Sequence, residues 1–149
     1  MEAGLHDLES HNLQIVKMLY RVCGRGDWAA AAQYLSADLV IREADTLPFA
    51  GVYRGPEGMR QLLAKVVQTA GVTGVELKHL TAGGDWVVAL LDLLLEGSPP
   101  ARVALAEAYR FRDRKVTEIV PYYFDPTPIV RAALKRRAGS EEALSVRAP

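Results

Sequence analysis

The apolar positions of the chain change period at Gly71, and that change sets the expected fold class. Before it, Leu8, Ile15, Leu19 and Val22 recur at helical spacing, which predicts a helix from Leu8 to Gly24 that stops at Gly24-Arg25-Gly26. Asp27 is placed to cap a second, alanine-rich helix from Trp28 to about Leu35. A short alternating run, Leu39 to Ala44, predicts a strand. The connection from Asp45 to Gly55 is unusually apolar for a surface loop, so part of it is expected to turn inward. Pro56 opens a third predicted helix, which ends near Ala70.

Beyond Gly71 lie four β-like runs, Val72 to Ala82, Val87 to Glu96, Arg102 to Arg112 and Val116 to Phe124. They are separated by Gly83-Gly84-Asp85, Gly97-Ser98-Pro99-Pro100 and Asp113-Arg114-Lys115. Connections this short imply antiparallel neighbours. Helices first and a meander last indicate an α+β fold, a curved antiparallel sheet closed by N-terminal helices around an apolar pocket. Pro128 to Arg137 predicts a short last helix. The polar segment from Gly139 to Pro149 reads as a flexible tail, so the domain is expected to span residues 1–138.

Strand alternation isolates the chemically informative residues, because successive side chains face opposite sides of a sheet. One face of the third β run carries Val103, Leu105, Glu107, Tyr109 and Phe111. Leu39, Ile41 and Glu43 share a face in the first strand, and Ile119, Pro121, Tyr123 and Asp125 share one in the last. Three strands thus each place a carboxylate on a core-facing row, where desolvation is costly unless the group is paired, hydrogen-bonded or protonated. The run from Val87 to Leu95 is apolar on both faces, and Val120, Tyr122 and Phe124 make the reverse face of the last strand apolar. A second sheet is needed to cover that outer face, and a homodimer supplies it most simply. Asp92 falls on the same outer face, where interface hydrogen bonding is expected.

Composition narrows the function classes. Among 149 residues, 18 Lys and Arg balance 18 Asp and Glu, which gives no electrostatic reason to expect nucleic acid or an anionic membrane as partner. The basic cluster Lys135-Arg136-Arg137 is expected to complement the dipole at the end of the last helix. Cys23, the single cysteine, permits no intramolecular disulfide, and a cytoplasmic location is expected. Three scattered histidines have no metal-binding spacing, so no metal site is anticipated.

Several segments in order resemble the nuclear transport factor 2-like superfamily, and within it SnoaL-like proteins. They are Gly26-Asp27-Trp28, the strand ending in Glu43, the run Leu47-Pro48-Phe49-Ala50-Gly51-Val52-Tyr53-Arg54-Gly55-Pro56-Glu57-Gly58, and Tyr109-Arg110-Phe111-Arg112-Asp113 followed by Lys115-Val116-Thr117-Glu118-Ile119. The resemblance covers about residues 8 to 135. It implies a cone-shaped sheet closed by helices, a cystatin-like roll, commonly dimeric through the sheet. Set beside ketosteroid isomerase, it aligns Glu43 with that enzyme's proton-abstracting aspartate and Glu107 with its protonated, hydrogen-bond-donating one. The oxyanion-binding tyrosine of that enzyme corresponds to Leu19, with Tyr20 one residue on and about 100° around the helix. In SnoaL-like cyclases a base lies near the end of the last strand, and Asp125 is its nearest counterpart.

The resemblance therefore implies a cofactor-free cyclase or isomerase acting on a small apolar carbonyl compound of polyketide type. Glu43, Glu107 and Asp125 are its candidate catalytic residues. Tyr20, Phe49, Tyr53, Leu91, Tyr109 and Tyr123 are its candidate substrate contacts. The other reading is a small-ligand-binding or accessory dimer of the same fold with no catalysis.

Overall fold

The predicted meander forms the body of a six-stranded sheet in the computed structural model, which describes residues 2–146. The elements run α1 (Glu2–Gly24), α2 (Trp28–Ala32), β1 (Leu35–Glu43), β2 (Gly51–Arg54), α3 (Gly55–Ala70), β3 (Val72–Gly83), β4 (Trp86–Leu95), β5 (Ala101–Arg112), β6 (Lys115–Tyr123) and α4 (Thr127–Val146). Spatial order is β2-β1-β6-β5-β4-β3. All neighbours are antiparallel except β1 and β6, which pair in parallel. The sheet is curved and unclosed, with the helices against its inner face. Register irregularities in the β1–β6, β3–β4 and β5–β6 pairs help bend it.

Local chemistry explains most boundaries. The Asp27 carboxylate accepts from the Ala30 amide at 3.1 Å and starts α2. Gly71, at φ +67°, ends α3 in the left-handed conformation that a glycine adopts without strain. Asp113 and Arg114 both have positive φ and join β5 to β6, giving a tight two-residue hairpin whose twist suits the flanking strands. The apolar connection does turn inward, since Leu47 and Phe49 are buried in the core. Its end forms β2, an edge strand where the sequence predicts a loop. Only four residues long and half-exposed, β2 shows too little alternation to announce itself.

The end of the chain departs further from expectation. A short helix to Arg137 and a loose segment from Gly139 were predicted, but α4 continues through Gly139 and Ser140 to Val146. Residues 147–149 of the predicted tail lie outside the described residues. Ile129 anchors α4 in the core. Arg136 pairs with Glu96 and donates to the Gln68 carbonyl at 3.1 Å, fixing the helix beside α3. The basic cluster is thus in mid-helix, and Arg136 acts through these partners instead of a terminal dipole.

The core lies between the helices and the inner face of the sheet. Val87, Ala89, Leu91, Leu93 and Leu95 of β4 point into it, together with Val103, Leu105, Tyr109 and Phe111 of β5. The outer face is apolar as expected, with Leu90 45%, Tyr122 62% and Phe124 90% exposed. Asp92 is buried on that face, but its ion pairs are internal, to Lys78 at 2.8 Å and Arg102 at 3.3 Å.

Candidate functional site

A pocket of about 380 Å³ opens between the inner face of the sheet and helices α1 and α3. Its sheet wall includes Ile41 and Glu43 of β1, Leu93 of β4, Leu105, Glu107 and Tyr109 of β5, and Ile119 and Tyr123 of β6. Helix α1 contributes Leu19, Tyr20 and Cys23, and α3 contributes Met59, Leu62, Leu63 and Val66. The exposed apolar side chains Val67 and Val75 border it where α3 ends and β3 begins. A wider groove of about 760 Å³ runs along α4, but no carboxylate lines it among the described residues.

Polar groups converge from four elements. The Tyr20 hydroxyl donates to Glu107 Oε1 at 2.6 Å, joining α1 to β5. Tyr109 meets Tyr20 edge to face, with ring centroids 6.1 Å apart. Burial raises the Glu107 carboxyl above the usual carboxylate range, an effect only partly offset by the bond from Tyr20. Glu43 is 8% exposed, and its Oε2 has no hydrogen-bond partner among the described residues. Burial first, and the charge of Glu107 second, push Glu43 up to about 8. Tyr123 is raised by burial and then by the charges of Glu43 and Glu107. Burial thus shifts the phenol and carboxyl groups of this cluster toward their neutral, proton-donating forms.

The structure brings together most, but not all, of the residues singled out from the sequence. Glu43, Glu107, Tyr20, Tyr109 and Tyr123 all line the pocket. Ungapped comparison set Leu19 in the tyrosine's place. Both residues line the pocket, but Tyr20 makes the bond to Glu107. Asp125 is exposed beyond the end of β6, where its Oδ1 accepts from the Thr127 amide at 3.0 Å and caps the start of α4. That bond holds its carboxyl below the usual range. Phe49 is wholly buried in the core, and Tyr53 donates to the Phe49 carbonyl at 2.8 Å, so neither lines the pocket. Leu91 is also a core residue. The α3 wall is not among the expected contacts, although Met59, Leu62, Leu63 and Val66 recur at helical spacing and mark a buried face.

An α+β cone with an apolar cavity and inward carboxyl groups defines a protein of the nuclear transport factor 2-like class. The chain belongs to the SnoaL-like domain family, whose model matches residues 16–119. It is similar to an NTF2-like protein of Burkholderia xenovorans LB400, with 25% identity over 84% of this chain and 97% of the other, at a TM-score of 0.67. TerC, co-crystallised with polyporic acid, has the same fold at 16% identity and a TM-score of 0.72, over 83% of this chain and 98% of its own. A putative polyketide cyclase from Sinorhizobium meliloti superposes with a TM-score of 0.61 at 16% identity, over 73% of this chain and 94% of its own. A search of curated proteins found no match. No helix among the described residues is long and apolar enough to cross a membrane.

Proposed function

We propose that the pocket catalyses cofactor-free proton transfer on a small, mostly apolar carbonyl compound, as a cyclase or isomerase of polyketide-type metabolism. The observation that carries this reading is the 2.6 Å bond between Tyr20 and Glu107 in the pocket that also holds the unpartnered Glu43. Ionised Glu43 takes a proton from the carbon next to the carbonyl, and the C–H electron pair moves to the carbonyl oxygen. Protonated Glu107, with Tyr20 bonded behind it, donates to the resulting enolate oxygen. Return of the proton to another carbon completes an isomerisation. Attack of the enolate carbon on a second carbonyl closes a ring, and the alkoxide so formed takes the proton back from Glu43.

Deuterium incorporation from D₂O into a panel of apolar cyclic ketones and β-diketones, followed by NMR, tests the reaction class. Exchange faster than in buffer is expected for compounds that bind. Bound ketones that exchange no faster than free ones would favour the second reading, a non-catalytic ligand-binding protein. The elevated Glu43 gives that alternative its support, because a carboxyl titrating at about 8 is mostly protonated at neutral pH.

We also infer a homodimer through the outer face of the sheet, supported by the exposure of Leu90, Tyr122 and Phe124 beside Val88, Ala106 and Val120. Sedimentation should give twice the chain mass. The Tyr122→Glu/Phe124→Glu pair is expected to sediment as a monomer with an unchanged circular dichroism spectrum. A wild-type monomer at micromolar concentration would refute the dimer.

A further inference from the structure

The polar end of the pocket has a one-sided charge character that carbonyl chemistry alone does not require. Its titratable groups are Glu43 from β1, Glu107 and Tyr109 from β5, Tyr123 from β6, and Tyr20 and Cys23 from α1. Helix α3 and strands β3 and β4 add none, and among the described residues no Lys, Arg or His lines the cavity. Two carboxyl groups therefore face one apolar space with no cation to balance them. Glu107 has Tyr20 as its hydrogen-bond donor, whereas the Oε2 atom of Glu43 is buried without any partner.

We propose that this pocket is also a binding site for an organic monocation, a protonated amine on a compact apolar body, with the ammonium group held by Glu43 and Glu107. An ammonium group supplies the donors that Glu43 lacks and removes the electrostatic cost of ionising a carboxyl group inside the protein. The tyrosine rings around the pocket add polarisable faces for the charge. The apolar walls from α3 and β4 accommodate the hydrocarbon part. An anionic ligand meets the reverse situation, two acidic groups and no basic one.

Binding of a cation is necessarily linked to proton release, because it favours the ionised carboxyl group and Glu43 otherwise titrates at about 8. The affinity for an amine that remains charged should therefore rise as pH increases toward that value. Affinity for an isosteric alcohol should not.

Phenylpropylamine, phenylpropanol and phenylpropanoate, titrated calorimetrically into the full chain, test the proposal. At the upper end of a pH series from about 6 to about 8, the amine is expected to bind at least roughly tenfold more tightly than the alcohol. The carboxylate should bind weakest. Near neutral pH, the amine enthalpy should vary with the ionisation heat of the buffer, reporting proton release. Glu43→Gln should retain alcohol binding and lose the preference for the amine. Equal binding of amine and alcohol in the wild type, pH-independent amine binding, or no amine binding at millimolar concentration would overturn the proposal. The wild-type series decides it even if the variant does not fold. Ketone exchange is measured separately, so loss of the enzymatic reading would leave this result intact, and the reverse holds too.

Discussion

Replacing Glu43 with glutamine is expected to lower ketone proton exchange by about 10²- to 10⁴-fold, the usual range for loss of a general base. The substitution keeps size and hydrogen-bonding capacity while removing the proton acceptor, so substrate binding should change far less than turnover. The same variant should be more stable than the wild type at alkaline pH. In the folded protein the Glu43 carboxyl is raised from 4.5 to about 8. Its contribution to stability is therefore fully present below about pH 4.5 and is lost as pH climbs through about 8. The difference amounts to something on the order of 5 kcal/mol if the full displacement is realised in folding. Urea denaturation across that pH window should show the wild type weakening and Glu43→Gln staying level by comparison. Parallel pH dependence of the two proteins would remove Glu43 from the account, as would full exchange activity in the variant.

Loss of the Tyr20 hydroxyl should have the second-largest effect. Tyr20→Phe preserves the ring that meets Tyr109 but removes the donor to Glu107. Turnover is expected to fall by about 10²-fold, the lower end of the range for loss of a direct oxyanion donor, because Tyr20 acts through Glu107. Stability should fall by about 1–3 kcal/mol because Glu107 Oε1 is left without its partner. Glu107→Gln should impair the same step, and the two substitutions together should cost much less than the sum of their separate effects, because both act through one hydrogen-bonded unit. A double variant whose losses add fully in exchange kinetics would show that Tyr20 and Glu107 work independently.

The sequence was most legible where a repeating pattern met a strong physical cost. Alternation placed Glu43 and Glu107 on inward rows, and both line the pocket. It also separated the core face of β4 from its exposed side, because apolar rows that long have few other places to go. The same rule failed for Asp125, since β6 ends at Tyr123 and the chain turns before the next alternation can carry the side chain inward. Tyr20 was obscured for a different reason. A one-residue offset on a helix rotates a side chain by about 100°, yet the position of a whole helix is set by tertiary packing. Here Leu19 and Tyr20 both reach the cavity, but only Tyr20 carries a hydroxyl, and it reaches Glu107. The length of α4 was equally hidden. Gly139 and Ser140 are poor helix formers, and the contacts that steady the helix come from Gln68 and Glu96, far away in sequence.

At the centre of this account is a buried carboxyl group, poised to exchange its proton near neutral pH in an apolar pocket. Carbon-13 NMR of glutamate side chains, with Glu43→Gln used to assign the resonance, measures it without requiring a known substrate. Glu43 should titrate with a midpoint at about 8. A midpoint near 4.5, the ordinary value for glutamate, would contradict the buried, unpartnered site on which the proposed chemistry depends.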